Sequence, residues 1–307
     1  MLGRGVARVL ASDPQAELVA REVAEAAQDA DVFVLNLECC ISERGAPWPD
    51  PRKPFFFRAP PTAAEVLARL GVDCVTLANN HALDFGSDAL LDTFEHLRAA
   101  GIAWVGAGAG LEEAQAPAVL EREGLRLGVL GLTDHPQQYA ATVESPGVAY
   151  ADLRGGLPSW VRIALQTLEA DAVLVSPHWG PNMFGEPLPR IRRAGAELQH
   201  AGATLVAGHS AHVFQGVERG VLYDLGDFLD DYATDQVLRN DLGLLFLVTL
   251  EERAPRRLEV LPLKLEYCHT RVADGDDAAW IRRRFRDACV RLGSEVHEEG
   301  GRLVVDW

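Results

Sequence analysis

The stretch CVTLANNHALDFG, residues 74–86, carries most of the fold prediction for this chain of 307 residues. It opens with a short apolar run, Cys74–Ala78, of the length and composition typical of a buried β-strand. The second half of the stretch is polar and contains Asn79, Asn80, His81 and Asp84. Polar side chains just past the end of a buried strand are typical of α/β enzymes, whose sites lie at the carboxyl ends of the strands.

Similar apolar runs recur along the chain, and amphipathic stretches separate them. The runs that predict further strands are Val32–Leu37, Leu125–Leu132, Ala172–Ser176, Thr204–Ala207 and Val221–Leu225. Helices are predicted over Gln15–Ala27, Thr62–Leu70, Asp88–Ala99, Trp160–Ala170 and Pro189–Ala201. Then follow longer strands at Leu244–Leu250 and Leu258–Tyr267, a helix over Asp277–Leu292 and a last strand at Arg302–Val305. This alternation predicts a layered α/β fold.

Composition excludes several functional classes. The net charge of −16, from 45 acidic and 29 basic residues, argues against nucleic acid or an anionic membrane as the main partner. Five cysteines without a CxxC spacing predict neither a disulfide framework nor a thiolate zinc site. No apolar run is long enough for a membrane span, and the N-terminus lacks the apolar run of a signal peptide. We therefore expect a cytoplasmic protein.

Histidines are concentrated at the ends of the predicted strands. Four of the nine histidines directly follow such strands, and they are His81, His178, His209 and His212. Each has a plain alternative, since a single histidine after a strand is more often a hydrogen-bonded structural residue. The pair Asn79-Asn80 can likewise serve as turn residues. Together with Glu38 and Asn80, however, the histidines offer the mixture of nitrogen and oxygen donors that suits Mn, Fe, Zn or Co.

Five sequence blocks extend this pattern over nearly the whole chain, namely NLE (36–38), LANNHALDFG (77–86), HWG (178–180), GHSAH (208–212) and LGDF (225–228). In this order they resemble the CapA family of poly-gamma-glutamate capsule synthesis proteins, within the calcineurin-like metallophosphatase superfamily. The resemblance implies one domain over residues 1–307 with a four-layer sandwich of two central mixed β-sheets flanked by helices. It also implies two divalent transition metal ions and hydrolysis of a phosphoester or related bond in a small-molecule or polymer substrate.

The same resemblance assigns roles to individual residues. The metal ligands would be Glu38, Asn80, His178, His209 and His212. His81 would face the substrate as general acid or as a stabiliser of the transition state. Residues that orient ligands or line the pocket would be Asn79, Asp84, Asp134, His135 and Asp227. For the pair Asp134-His135, a plain loop is an equally good interpretation, and Ser210 has no assigned role.

The N-terminus departs from the family pattern. CapA-like chains begin with an apolar strand ending in Gly-Asp, followed by residues like Met1–Val6 of this chain. We therefore expect the first strand and its metal-binding aspartate to be missing, through a misplaced start codon or through loss of a ligand.

Two other functions remain open at this point. One is a metal-binding accessory protein of a polymer-synthesis assembly, without turnover. The other is a structural α/β protein whose histidines are incidental.

Overall fold

The strand predicted at the start of the opening stretch is the middle strand of a small parallel sheet. In the computed structural model, which describes residues 1–307, the strands are numbered β1 to β18 in chain order. The middle strand is β4 (Cys74–Thr76), and its neighbours are β1 (Val34–Asn36) and β5 (Ala103–Val105). All residues of β4 are buried, as expected for a strand covered on both faces.

A six-stranded sheet is built around β10 (Ala172–His178), whose residues are all buried. Strands β8 (Leu125–Thr133), β11 (Leu205–Ala207) and β13 (Val221–Leu222) join it in parallel, in the order β13-β11-β10-β8. The two edges are antiparallel strands, β7 (Ala118–Arg122) beside β8 and β12 (Val217–Glu218) beside β13. The parallel strands thus end on one edge of the sheet.

The C-terminal part of the chain forms an antiparallel sheet. Its strands are β14 (Leu242–Glu251), β15 (Ala254–Glu266), β16 (His269–Val272), β17 (His297–Glu299) and β18 (Arg302–Asp306). They pair in the order β14-β15-β18-β17, and β16 also pairs with β15. Strand β14 therefore forms one edge of this sheet.

Four short strands and eight helices complete the fold. The short strands pair as β2 (Cys40–Ile41) with β3 (Arg58–Ala59), and β6 (Ala107–Gly108) with β9 (Gly147–Val148). The helices are α1 (Arg4–Ser12), α2 (Arg21–Gln28), α3 (Thr62–Arg69), α4 (Gly86–Ala99), α5 (Leu111–Gln115), α6 (Ser159–Thr167), α7 (Pro189–Ala201) and α8 (Gly275–Arg291). None of them combines the length and apolar character needed to cross a membrane.

Helices and sheets stack in four layers. Helices α6 and α7 cover one face of the six-stranded sheet, where Leu198 and Val175 share a buried cluster. The other face packs on both the three-stranded and the C-terminal sheet, so that Leu174, Val105 and Val260 lie in one core. Helices α1, α3 and α4 cover the outer face of the three-stranded sheet, and α2 covers that of the C-terminal sheet. The predicted sandwich of two sheet layers between helices is confirmed, with two separate sheets in the second sheet layer.

One predicted element is wrong over its first part. The helix expected over Gln15–Ala27 begins only at Arg21. Val19 instead forms a parallel bridge with Thr270, and the Ala20 N–H donates a hydrogen bond of 2.7 Å to the Thr270 carbonyl. The pairing with Thr270 prevents the helix from starting earlier, although the spacing of the apolar residues over Gln15–Ala27 is that of a helix. Helix α1, which buries Val6 and Leu10, was not predicted at all.

Gly208 lies where the chain leaves β11 and enters the histidine-bearing turn. A Cβ atom there would collide with the Tyr223 carbonyl oxygen and with Nε1 of Trp179, which are joined by a 2.8 Å hydrogen bond. We expect Gly208→Ala to lower the free energy of unfolding by about 1–3 kcal/mol, the usual cost of overpacking. Denaturant titration measures this change.

The matched control is Gly155→Ala, because a Cβ atom at Gly155 would have nothing within 4 Å. This variant should unfold at the denaturant concentration of the parent. Equal unfolding midpoints for the two variants would contradict the proposed close packing at Gly208.

Candidate metal centre

The predicted site residues meet at the edge where the parallel strands of both sheet layers end. Glu38 follows β1, His81 follows β4, His178 is the last residue of β10, and His209 and His212 follow β11. Of the predicted ligands and their neighbours, Glu38, Asn79, His81, His178 and His209 are buried. The structure thus brings residues that are far apart in sequence to one edge.

Glu38 lies between two histidines. Its Oε1 atom is 4.0 Å from Nε2 of His81 and 4.0 Å from Nε2 of His212. Its Oε2 atom accepts a hydrogen bond of 3.0 Å from Nδ2 of Asn36, so that one oxygen is anchored. The other oxygen, Oε1, is buried and has no hydrogen-bond partner. Such an oxygen is available to a ligand.

Asn79 and Asn80 differ in the hydrogen bonds that their side chains make. Asn79 donates from Nδ2 to Oδ1 of Asn36 and to the Leu37 carbonyl, both at 2.9 Å, and its Oδ1 accepts from the His81 N–H at 3.0 Å. Asn79 therefore joins the ends of β1 and β4 and has a structural role. The Oδ1 atom of Asn80, in contrast, is buried without a partner. Of the two, only Asn80 presents a free oxygen.

Asp84 fixes the orientation of His81. Its Oδ2 atom lies 2.7 Å from Nδ1 of His81 and accepts the Phe57 N–H at 2.6 Å. Its Oδ1 atom forms an ion pair of 2.9 Å with Nζ of Lys53, which also donates to the Asn80 carbonyl at 2.8 Å. Because a carboxylate only accepts hydrogen bonds, Nδ1 of His81 carries its proton and Nε2 points towards Glu38.

His178 and His209 contact each other directly. Their Nδ1 atoms are 2.8 Å apart, so that one donates and the other accepts. Burial, followed by the neighbouring imidazoles, lowers the pKa of His209 to about 3 and that of His178 well below its usual value. Both rings are therefore neutral at pH 7. Both Nε2 atoms are buried without hydrogen-bond partners. The ring that donates through Nδ1 presents an Nε2 lone pair, which is the form in which imidazole binds metals, whereas the accepting ring carries its proton on Nε2.

His212 has the opposite electrostatic character. Burial alone would lower its pKa, but the charge of Asp227, with a hydrogen bond of 2.9 Å to Nδ1, and the charge of Glu38 raise it to about 10. His212 is thus cationic at pH 7. It stands in a turn where Ser210 and His212 adopt φ values of 129° and 59°. Such backbone conformations are costly and are concentrated at functional sites.

Asp134 and His135 lie beside this histidine pair. The His135 ring centroid is 5.0 Å from that of His178, and Nδ1 of His135 contacts Oδ1 of Asp134 at 2.5 Å. The other Asp134 oxygen accepts the Gly180 N–H at 3.2 Å, which ties the loop after β8 to the one after β10. The His135 side chain is 35% exposed, so it forms part of the rim of the site.

Several residues of this centre have no recognisable signal in the sequence. Lys53 lies in a proline-rich loop, and only the fold shows that its ammonium group reaches Asp84. Asp224 is buried, and its two oxygens accept the N–H groups of Ala211 and Gly226, which shapes the histidine-bearing turn. Its burial raises its pKa to about 7. No sequence signal distinguishes these residues from other loop lysines and aspartates.

The donors form two groups rather than one closed cage. Glu38, His81 and His212 make one group, and His178 with His209 make the other. As the side chains stand, no three histidine, cysteine, aspartate or glutamate residues converge on a point that could hold a cation. The types of donor and their free atoms nevertheless fit borderline divalent ions, which bind imidazole nitrogen and carboxylate or amide oxygen.

Asp84 offers a test of this arrangement. Its side chain is fully buried and compensates Lys53, whose side chain is 13% exposed. We expect Asp84→Asn to lower the free energy of unfolding by about 3 kcal/mol or more, because it leaves a largely buried ammonium group without its counter-charge. Denaturant titration measures the loss.

The control is Asp152→Asn, which removes a carboxylate from an exposed ion pair with Arg154. Exposed pairs contribute little, so its unfolding midpoint should match that of the parent. A similarly small effect at Asp84 would show that the Lys53–Asp84–His81 contacts do not hold the site together.

Comparison with known proteins places the chain in a family. A family model described as "Bacterial capsule synthesis protein PGA_cap" matches residues 1–232. A Mycobacterium tuberculosis protein named "Probable polyglutamine synthesis accessory protein" is 32% identical over 286 residues, which cover 87% of this chain and 74% of that protein. The "PGA biosynthesis protein CapA" of Bacillus subtilis is 29% identical over 209 residues, covering 66% of this chain and 53% of that protein.

Among solved structures, a hypothetical protein of Thermus thermophilus matches over 88% of this chain and 92% of its own, with 16% identity and a TM-score of 0.42. A score at that level establishes neither fold nor function. The sequence matches are sufficient: the chain belongs to the PGA_cap family of bacterial capsule synthesis proteins, to which the CapA resemblance pointed.

Proposed function

We propose that this protein is a metal-dependent hydrolase of the CapA type, acting on a phosphoester or related bond. The observation that carries the proposal is a concentration of buried polar atoms without hydrogen-bond partners at one sheet edge. These atoms are Oε1 of Glu38, Oδ1 of Asn80, Nε2 of His178, Nε2 of His209 and Oδ2 of Asp227. Buried polar atoms are normally paired, so this many free atoms in one place favour a ligand that completes them.

In this proposal Glu38, Asn80, His178, His209 and His212 hold two divalent ions of Mn, Fe, Zn or Co. When bound, such ions lower the pKa of bound water and neutralise charge on the substrate. Of the neutral His178 and His209 rings, the one that donates through Nδ1 can bind a metal through Nε2 as it stands, and the other must first give up the proton on its Nε2. His212, which is cationic, must also release a proton. Asp227 holds the His212 ring through Nδ1 and so directs Nε2 towards Glu38.

His81 is proposed as the proton donor to the leaving group. Asp84 binds its Nδ1 atom, which leaves Nε2 facing the centre. A second proton, on Nε2, makes the ring an imidazolium that can protonate the leaving group. Phe57 packs on the ring with centroids 4.3 Å apart and limits its rotation. The geometry therefore supports an acid with one free nitrogen and a fixed direction.

The process and the substrate are proposed from the relatives. Their names refer to polyglutamine, PGA or capsule synthesis. We propose that this chain acts in the same kind of process, on a small molecule or on the polymer itself. The net charge of −16 disfavours nucleic acid as a partner.

The second candidate is a metal-binding accessory protein without turnover. One relative is itself named an accessory protein, and the donors here do not converge into a closed metal site. Metal content does not separate the two candidates, but turnover does.

Metal binding gives the first test. Protein purified without chelators, or reconstituted with Mn or Co, should contain about two divalent ions per chain by elemental analysis. Both candidate functions require this result. Absence of Mn, Fe, Co, Ni and Zn before and after reconstitution would rule out both.

The second test separates the acid from the ligands. His81→Ala should keep its metal but lose turnover of an aryl phosphate or phosphodiester by about 10²–10⁴-fold, the usual contribution of a positioned proton donor. His209→Ala and His212→Ala should lose metal, and activity with it. His200→Ala, an exposed change at the end of α7, is the control and should alter neither quantity.

Equal metal loss in all three site variants would make His81 a ligand instead, and His135 would become the candidate acid. Full metal occupancy without turnover of either substrate in the parent would favour the accessory role.

A further inference from the structure

Two cationic side chains stand at the rim of the candidate metal centre, and they differ in how far the protein itself uses them. Lys53 is largely buried, and its ammonium group forms a close ion pair with Asp84. The side chain of Arg4 is 38% exposed, and its Nε atom lies 3.3 Å from Oδ2 of Asp231. The same oxygen accepts a shorter hydrogen bond, of 2.7 Å, from the Gly5 N–H. The guanidinium group of Arg4 therefore keeps donors that face solvent.

The guanidinium group of Arg4 lies over two phenylalanine rings. Its Cζ atom is 5.5 Å from the ring centroid of Phe55 and 5.8 Å from that of Phe57, within the range of cation–π contacts. The two rings are nearly parallel, with an interplanar angle of 11°. Because the centroid of the Phe57 ring is in turn 4.3 Å from that of His81, the guanidinium group lies within about 10 Å of the His81 ring. One aromatic ring thus separates Arg4 from the proposed acid.

The backbone around Arg4 is shaped by close contacts. Arg4 has a φ of 50°, in the left-handed region that residues other than glycine rarely adopt. A Cβ atom at Gly3 would come within 2.9 Å of the Phe57 Cα atom, and one at Gly5 within 2.8 Å of an Asp231 carboxylate oxygen. The two glycines therefore let this segment pack against the wall of the site. Strained residues of this kind are concentrated at functional sites, which favours a functional role for the arginine.

We propose that Arg4 binds a carboxylate of the substrate, at a position separate from the bond that is hydrolysed. The inference rests on the proposed function and names the class of substrate, a molecule with a second anionic group beside the reacting one. One guanidinium group supplies a single charge and a planar pair of donors, which matches a carboxylate, whereas a phosphate monoester has more charge and more acceptors. The net charge of −16 repels anions from much of the surface, so a cation at the rim is needed to hold this group.

The test compares two ligands that differ only in a carboxylate. One is the N-acetylated phosphonate analogue of phosphotyrosine, which is not hydrolysed, and the other is the same compound without its carboxyl group. Both are titrated calorimetrically into protein loaded with Mn, at neutral pH and constant ionic strength. The carboxylate should tighten binding to the parent protein by about tenfold, the usual effect of one hydrogen-bonded contact to a charged group.

Three variants locate the effect. Arg4→Met should bind both compounds with the same affinity. Arg4→Lys keeps a charge beside Asp231, which protects the fold, but it lacks the planar pair of donors, so its preference should fall to about threefold or less. Arg8→Met is the control, because Arg8 is an exposed arginine on the same helix α1 and contacts the Tyr267 hydroxyl at 3.0 Å. This variant should keep the preference of the parent.

Loss of the preference in both Arg4 variants, with its retention in Arg8→Met, supports the proposal. Equal affinities of the two compounds for the parent, a preference that persists in Arg4→Met, an equal loss in Arg8→Met, or no binding of either compound overturns it. Failure of the proposed function is a separate result, because neither compound is turned over. A parent that hydrolyses an aryl phosphate but binds the two compounds equally is a hydrolase without this carboxylate site.

Discussion

The requirement that buried polar atoms find partners governs this structure at the edge where its parallel strands end. Asn79 satisfies the requirement completely, because its amide joins the ends of β1 and β4. Asp84 holds the proline-rich loop through an ion pair with Lys53 and a hydrogen bond from the Phe57 N–H. Because these groups are used internally, they hold the site without competing for a ligand. The atoms that remain without a hydrogen-bond partner include Oε1 of Glu38 and Oδ1 of Asn80.

The same edge contains histidines of opposite charge within one short turn. His209 and His212 are three residues apart, yet their pKa values lie at about 3 and about 10. The difference arises from their neighbours, since His209 faces the imidazole of His178 and His212 faces the carboxylate of Asp227. A divalent ion binds imidazole through a nitrogen that carries no proton. In the proposed metal centre, an ion beside His212 would therefore have to displace the extra proton of an imidazolium, whereas His178 and His209 are already neutral.

Much of this centre could be predicted from sequence because the ligand candidates follow strands whose apolar runs are unambiguous. His178 and His209 are examples, since parallel strands must end on the same edge. The position of Lys53 could not be predicted, because it depends on how a long loop folds back over β4. The predicted start of α2 was wrong for a similar reason, because Val19 pairs with Thr270, which is about 250 residues away in sequence. Contacts of that range leave no local pattern.

The second sheet layer consists of two separate sheets, and this affects how firmly Glu38 is held. Glu38 directly follows β1, a three-residue strand that pairs on one side only. Its position therefore depends on β4 and on the hydrogen bonds that Asn79 makes to Asn36 and Leu37. His178, by contrast, ends a strand that is paired along both edges in the six-stranded sheet. One half of the centre is thus rigidly supported, while the carboxylate half rests on few contacts.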